Sequence, residues 1–185
     1  MLTAHPINIS AVQGQAFDQT LTYVVDNGSV PWTSSGTHAA NDVITNGSVT
    51  SPAWNGLYYR VTAGGGGASG AVAPVFPTTL GATVTDGALT LTCQAASAYP
   101  YDLSAATGSS KVRTSPDAPG AEICAPAITL GVGTVRIQIT VAQVTSIIAA
   151  GVERCSIDVW ATFAGPDPEP IFAGVLSVAL STTLR

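Results

Sequence analysis

The chain has 185 residues, a formal net charge of −5, 46% hydrophobic residues and only 9% charged residues. Because disordered proteins combine low hydrophobicity with high charge, this composition excludes intrinsic disorder, and the scarcity of Glu, Lys and Arg argues against coiled coils. An acidic protein repels phosphate backbones, so nucleic acid is not expected as a partner. The 19 glycines and 12 prolines, with many Thr and Val residues, predict an all-β fold of short strands and frequent turns.

The first predicted elements are two strands. Residues 7–12 and 17–25 alternate apolar and polar side chains, and the second run ends in Asp26-Asn27-Gly28. Asn-Gly supplies the two positive-φ residues of a type I′ turn, so a hairpin is expected at this point.

Turns become denser between residues 33 and 98. Asn46-Gly47, Asn55-Gly56 and the run from Gly64 to Gly67 interrupt the chain every few residues. Asp86-Gly87 predicts another hairpin. The short strands expected between these turns are residues 57–62, 82–85 and 88–93.

After Pro100 the predicted strands are longer, and they are residues 109–113, 122–130, 134–140, 155–163 and 171–180. One helix is expected at residues 141–150, with Thr140 as its N-cap and Gly151 just past its end. Its apolar positions follow the i, i+3, i+4 spacing: Val141, Val144, Ile147 and Ile148. The alternate prolines of residues 165–170 predict a protruding hairpin loop between the last two strands.

Neither a membrane span nor a signal peptide is expected. The charge-free stretch 61–85 contains four consecutive glycines and two prolines, which a lipid-exposed helix does not tolerate. The apolar run 171–180 is too short to cross a bilayer. Residues 1–10 have no basic region and include Pro6, unlike a signal peptide.

Residues suited to catalysis are scarce, so no enzyme activity, cofactor or metal is expected. His5 and His38 are the only histidines, which disfavours a Ser-His-Asp arrangement. Asp167 and Glu169 lie in the proline loop, where a carboxyl group stays solvated and its pKa is not raised by burial. No Cys/His cluster has zinc spacing. The run from Gly64 to Gly67 lacks the Gly-Lys-Ser/Thr ending of a phosphate loop and is interpreted as a flexible turn.

Aromatic residues are the remaining binding candidates. Trp54, Tyr58 and Tyr59 cluster at the start of the strand 57–62, which would send Tyr58 and Tyr59 to opposite faces, one to the core and one to the surface. The cluster is therefore either core with incidental exposure or a surface that stacks on sugar or contacts protein. Trp160 is expected in the core or at a subunit interface, and Trp32 at a domain junction.

The cysteines do not suggest an intrachain framework. Cys93, Cys124 and Cys155 form no CxxC pair, and three thiols cannot all pair within one chain. Buried thiols and an intermolecular disulfide remain the two alternatives.

Two resemblances bear on domain organisation. The first consists of an opening hairpin, Tyr101-Asp102-Leu103-Ser104, Lys111-Val112-Arg113, and Gly133-Thr134-Val135 before a short helix and long strands. This order resembles the N-terminal domain of the phage baseplate upper protein family and related tail-fibre attachment domains. In that family the Asp-Leu-Ser element follows the first hairpin almost at once, whereas a long stretch intervenes here.

The intervening stretch has its own resemblance. The segment from Gly56 to Thr62, followed by Pro74-Val75-Phe76-Pro77 and Gly81 to Gly87, is similar to a small β module that recurs in phage tail and fibre proteins. That module usually carries a tryptophan two residues before the cysteine, where this chain has Leu91. The combined prediction is an antiparallel β-sandwich-like parent domain with one short helix, residues 1–32 and 99–185, interrupted by a small inserted β domain, residues 33–98.

The resemblances imply a non-enzymatic structural component of a tailed-phage virion. Its expected role is assembly or attachment through contacts with other virion proteins in the baseplate, fibre, neck or capsid, where it could also be a decoration protein. The alternative is a receptor-recognition module that binds host-surface glycans. The shortage of charge predicts a homo-oligomer, and a trimer is favoured by the resemblance alone.

Overall fold

The computed structural model describes residues 4–114, 121–151, 154–165 and 167–179. The fold is all-β, as predicted, with one α-helix in the described ranges. The strands are β1 (His5–Val12), β2 (Phe17–Thr22), β3 (Val24–Val25), β4 (Val30–Pro31), β5 (Val43–Thr45), β6 (Tyr58–Ala63), β7 (Thr83–Asp86), β8 (Leu89–Gln94), β9 (Tyr99–Pro100), β10 (Thr107–Arg113), β11 (Glu122–Cys124), β12 (Ala127–Gly131), β13 (Thr134–Ile139), β14 (Arg154–Thr162) and β15 (Glu169–Ala179). The helix, α1, is Val141–Ala149.

The chain divides into two compact units. The parent unit comprises Met1–Tyr23 and Pro100–Arg185, and the inserted unit comprises Val24–Tyr99. The inserted unit therefore includes residues 24–32 and Tyr99, which the sequence pattern assigned to the parent. The reason is that β4 pairs in parallel with β5, and Trp32 packs against the core of the inserted unit.

The parent unit is β-sandwich-like. A five-stranded sheet has the order β1-β15-β14-β10-β11, and a three-stranded sheet has the order β12-β13-β2. The alternate residues Val135 and Ile137 of β13, and Ile157 and Val159 of β14, are fully buried and supply inner faces of the two sheets. Trp160 follows Val159 in β14 and is partly buried on the opposite face.

The first and last strands of the described chain are neighbours in the five-stranded sheet. β1 pairs in parallel with β15, with Ile7 opposite Gly174. A Cβ atom on Gly174 would overlap the carbonyl oxygen of Ile7, so glycine lets the two backbones approach. The pairing makes β15 a central strand, with β14 on its other side.

Helix α1 connects the two sheets of the parent unit. The Thr140 side chain accepts a hydrogen bond from the Gln143 N–H, and the Gln143 side chain accepts one from the Thr140 N–H, which forms a capping box. Gly151 just past the helix has φ +71. Of the predicted buried positions, Val144 and Ile147 are buried and Ile148 is only partly buried.

Three local predictions need correction. Gly28 has a positive φ but Asn27 does not, so the expected type I′ turn is absent there, and the Gly28 N–H bonds instead to the Asp26 carboxylate at 2.9 Å. The predicted strand 122–130 is two strands, because Pro126 interrupts it and β11 and β12 belong to different sheets. The predicted loop 165–170 is shorter, since Glu169 and Pro170 already belong to β15, and Pro166 lies outside the described residues.

The inserted unit is built on a five-stranded sheet of order β4-β5-β6-β8-β7. The predicted hairpin joins β7 and β8, with Asp86 opposite Leu89 and Gly87 at φ +61 in the turn. The core consists of Ile44, Tyr59, Val61, Leu89, Leu91 and Cys93. Leu91, at the position where the sequence analysis noted a departure from the similar module, is fully buried in this core.

Candidate functional site

The three candidate aromatic residues separate onto two sides of the inserted sheet. Tyr59 is fully buried, as the alternation of β6 predicts for one of the pair. Its hydroxyl donates to the Pro77 carbonyl oxygen at 3.0 Å and accepts from the Asn55 side-chain amide at 2.6 Å. Burial has the largest effect on the Tyr59 hydroxyl and raises its pKa. Tyr59 is therefore a core residue that anchors loops and does not contribute to a binding surface.

Trp54 and Tyr58 come together on the other side. Their rings make an edge-to-face contact with centroids 5.5 Å apart and an interplanar angle of 72°, and both side chains are partly buried. The Trp54 indole N–H donates to the Leu57 carbonyl oxygen at 3.1 Å, which fixes the ring beside β6. The pair forms the aromatic part of the candidate site.

Two asparagines shape the loop that carries Trp54. The Asn46 side chain donates to the Ala53 carbonyl oxygen at 3.0 Å and accepts from the Asn55 N–H at 3.1 Å. The Asn55 side chain accepts from the Leu57 N–H at 3.0 Å. These bonds replace main-chain pairing in an irregular segment, and so hold the loop in one conformation.

Arg60 belongs to the same face of β6 as Tyr58, because the two residues are two positions apart. Its guanidinium carbon lies 5.1 Å from the centroid of the Tyr99 ring, and its Nη1 donates to the Asn41 side-chain oxygen at 3.3 Å. Arg60 is the only Lys or Arg in residues 24–99. Its Nε is buried and has no hydrogen-bond partner among the residues that the structure describes.

Gln94 completes the site from the neighbouring strand. It is paired with Tyr58 across β6 and β8, and its Nε2 is also buried, with no hydrogen-bond partner in the described part of the chain. We refer to Trp54, Tyr58, Arg60 and Gln94 as the aromatic–arginine face. The sequence analysis missed Arg60 and Gln94. The available signal was that Arg60 is the sole cation of the module, whereas the nearness of Gln94 depends on strand register.

Asp86 is buried, and its hydrogen bonds stabilise the fold of the inserted unit. One carboxylate oxygen accepts the Trp32 indole N–H at 2.7 Å and the other accepts the Gly70 N–H at 2.8 Å. These charge-assisted bonds fasten the residues before β5 and the turn at Gly70 to the end of β7. Asp86 is therefore engaged by donors on both oxygens.

His5 belongs to the parent unit and His38 to the inserted unit. His38 is 6% exposed, and its Nδ1 lies 3.9 Å from a carboxylate oxygen of Asp42. Asp167 is exposed, while Glu169 begins β15. Over the described ranges, no group of three or more His, Cys, Asp or Glu side chains could hold a metal ion.

The glycine run 64–67 is a closely packed turn, which corrects its interpretation as a flexible one. A Cβ atom on Gly64 would overlap the Ala88 carbonyl oxygen, and a Cβ atom on Gly65 would lie 2.5 Å from the Ala40 nitrogen. The Gly66 N–H donates to the His38 carbonyl oxygen at 2.7 Å. Gly64 and Gly65 are required because neighbouring backbone leaves no room for a side chain at these two positions.

The three thiols are free. Cys93 and Cys155 are buried, and Cys124 is partly buried. Burial raises the pKa of all three thiols, and that of Cys124 reaches about 11, with Cys155 and Glu122 as further causes. Thiolate formation is therefore suppressed near neutral pH. Cys124 is the one cysteine whose exposure leaves room for an intermolecular disulfide.

No protein-family model matches the chain, and no curated protein matches its sequence. Among the helical residues that the structure describes, none form a helix long and apolar enough to span a bilayer.

Proposed function

We propose that the protein is a non-enzymatic structural component of a tailed-phage virion, which assembles through contacts with other virion proteins and with copies of itself. The observation that carries the proposal is a segment with exposed apolar side chains, residues 71–80. Val72 is 81% exposed, Val75 91% and Leu80 59%. Large apolar side chains that are exposed close together in sequence, on a chain with few charges, favour a protein contact.

The conformation of this segment also suits a contact. Within the described chain, the N–H groups of Val72 and Val75 have no hydrogen-bond acceptor, while the Tyr59 hydroxyl bonds the Pro77 carbonyl oxygen and ties the segment down. Phe76 packs inward on the core. The segment thus presents valines outward from a fixed base, which reduces the entropy lost on binding.

Sheet edges offer further contact sites. In the parent unit, β1 and β11 are the edges of one sheet and β12 and β2 those of the other. Unpaired edges accept strands from other chains. A homo-oligomer is proposed on this basis, and three copies are favoured by the resemblance to phage fibre components.

Substitution of the exposed valines tests the proposal. Val75→Asp should abolish association of the purified chain, measured by light scattering, and its incorporation into phage particles, while thermal unfolding is unchanged. Val49→Asp is a matched control, since Val49 is also exposed, at 46%, but lies outside the segment. Fractionation of particles would assign the protein to capsids or to detached tails. A stable monomer that associates with neither would refute the proposal.

A second candidate is recognition of a host-surface glycan by the inserted unit. One observation favours it: Trp54 and Tyr58 form a partly exposed aromatic pair. Aromatic rings present apolar faces, against which the C–H faces of sugars can pack. Binding of the full chain to a glycan array, lost in Tyr58→Ala, would support this function, and an array without any bound glycan would refute it.

A further inference from the structure

We propose that the aromatic–arginine face binds a sugar that carries a carboxylate, with Arg60 as the residue that recognises the acidic group. The inference rests on the second candidate function and names its ligand class. It follows from the charge of Arg60, from two donors without acceptors and from the position of β6 and β8 within the sheet.

Arg60 has no acidic partner among the described residues. The three acidic residues of the inserted unit are engaged elsewhere: Asp86 by Trp32 and Gly70, Asp26 by Gly28 and Ser97, and Asp42 by Ala39. A partly buried cation without a counter-ion is unfavourable, even with the Tyr99 ring beneath it. An anionic ligand would supply the missing charge.

Two hydrogen-bond donors point to the same requirement. Nε of Arg60 and Nε2 of Gln94 are buried and have no acceptor. Because Gln94 pairs with Tyr58, it is a diagonal neighbour of Arg60 on one face of the sheet. Buried donors without acceptors are costly, so their presence close together requires an explanation. A carboxylate offers two oxygens in the geometry that a guanidinium binds best.

Both donor atoms are covered by neighbouring atoms of the chain. A ligand oxygen reaches them only after the Arg60 and Gln94 side chains change rotamer, which for Arg60 breaks the hydrogen bond to Asn41. The expected signature of binding is therefore a local side-chain change without movement of β6 or β8.

The rest of the ligand is a sugar and not a peptide. A peptide that binds by strand addition needs a free sheet edge. The strands that carry Tyr58, Arg60 and Gln94 are interior strands of the order β4-β5-β6-β8-β7, so no edge is available to them. The partly exposed Tyr58 ring beside Trp54 instead offers an apolar surface, and the Tyr58 hydroxyl makes no hydrogen bond within the described chain.

Titration of the full chain with 3′-sialyllactose and with lactose tests the inference. We expect the acidic sugar to bind at least tenfold more tightly than the neutral one. Arg60→Gln should abolish this difference, and Arg60→Lys should restore part of it because the charge returns without the planar fork. Arg136→Gln is the matched control, since it removes a surface arginine from the parent unit. If Arg60→Gln does not fold, Gln94→Ala replaces it as the test variant, and we expect it to reduce the preference for the acidic sugar by a smaller factor.

The outcomes separate the inference from the function on which it rests. Equal binding of the two sugars, or a preference that survives Arg60→Gln, would overturn the carboxylate assignment and leave glycan recognition standing. No binding of either sugar, nor of a glucuronate-containing disaccharide, would overturn both. A glutamate-rich peptide that binds more tightly than the sialylated sugar would overturn the assignment to a sugar.

Discussion

Gly174→Ala tests whether β1 completes the sheet beside β15. The new methyl group would overlap the Ile7 carbonyl oxygen and lie within 3 Å of the Ile7 nitrogen, at 2.9 Å. The obstructing atoms belong to the backbone, so no rotation of a side chain relieves the overlap. β1 must move away from β15 or the central strand must bend.

The magnitude follows from what β1 loses. Overpacking by one methyl group costs about 1–3 kcal/mol where neighbours can adjust. If β1 separates, Ile9 and Ala11, which are 3% and 2% exposed, also leave the core. Their burial is worth about 3 kcal/mol at ~25 cal/mol per Å² of apolar surface. We therefore expect the free energy of unfolding of the parent unit to fall by about 2–4 kcal/mol.

Urea unfolding followed by circular dichroism measures the global loss, and hydrogen exchange of peptides covering residues 5–12 measures the local one. Gly165→Ala is the matched control, because a Cβ atom there meets nothing within 4 Å. Faster exchange in residues 5–12 should appear only in Gly174→Ala. If both variants unfold at the same urea concentration and exchange alike, the parallel pairing of β1 with β15 is wrong.

Three further predictions concern core and surface groups. Tyr59→Phe keeps the ring against Phe76 but removes both hydrogen bonds of the hydroxyl, so urea unfolding should show a loss of about 1–3 kcal/mol, against less than about 0.5 for Tyr58→Phe. Ile147→Ala should cost about 2–5 kcal/mol in thermal unfolding and Ile148→Ala clearly less, and equal losses would contradict the orientation of α1. The folded-state pKa of Cys124 is raised from 9.0 to about 11, so its stabilising contribution is complete below pH 9 and lost as the pH rises through about 11. The free energy of unfolding should therefore fall less steeply between pH 9 and about 11 in Cys124→Ala than in the unmodified protein. An identical pH dependence in the two proteins would refute the burial of this thiol.

Local patterns predicted the elements well where adjacent residues decide the structure. The helix has its N-cap at Thr140 and buries Val144 and Ile147, because both cap and periodicity are properties of a few consecutive residues. The hairpin after Asp86 forms for the same reason, since a glycine in the turn and two alternating strands suffice. The opposite directions of Tyr58 and Tyr59 likewise follow from strand alternation.

Sheet membership was not predictable from such patterns. Residues 17–25 alternate throughout, yet Tyr23 separates β2 from β3, and the two strands join different sheets. The Tyr23 N–H bonds to the Gly133 carbonyl oxygen at 2.9 Å, a partner far along the chain. Alternation of apolar and polar residues predicts the two faces of a strand, but it does not predict which strand lies beside it.

The sequence by itself determined the all-β class, the hairpin turn between β7 and β8, and the helix. Only the tertiary structure decided that β1 lies parallel to β15, and that Gln94 of β8 lies beside Tyr58 and Arg60 of β6. The physical reason is that turns, caps and alternation depend on neighbouring residues, whereas strand order and register are set by burial of whole faces and by backbone pairing between distant segments.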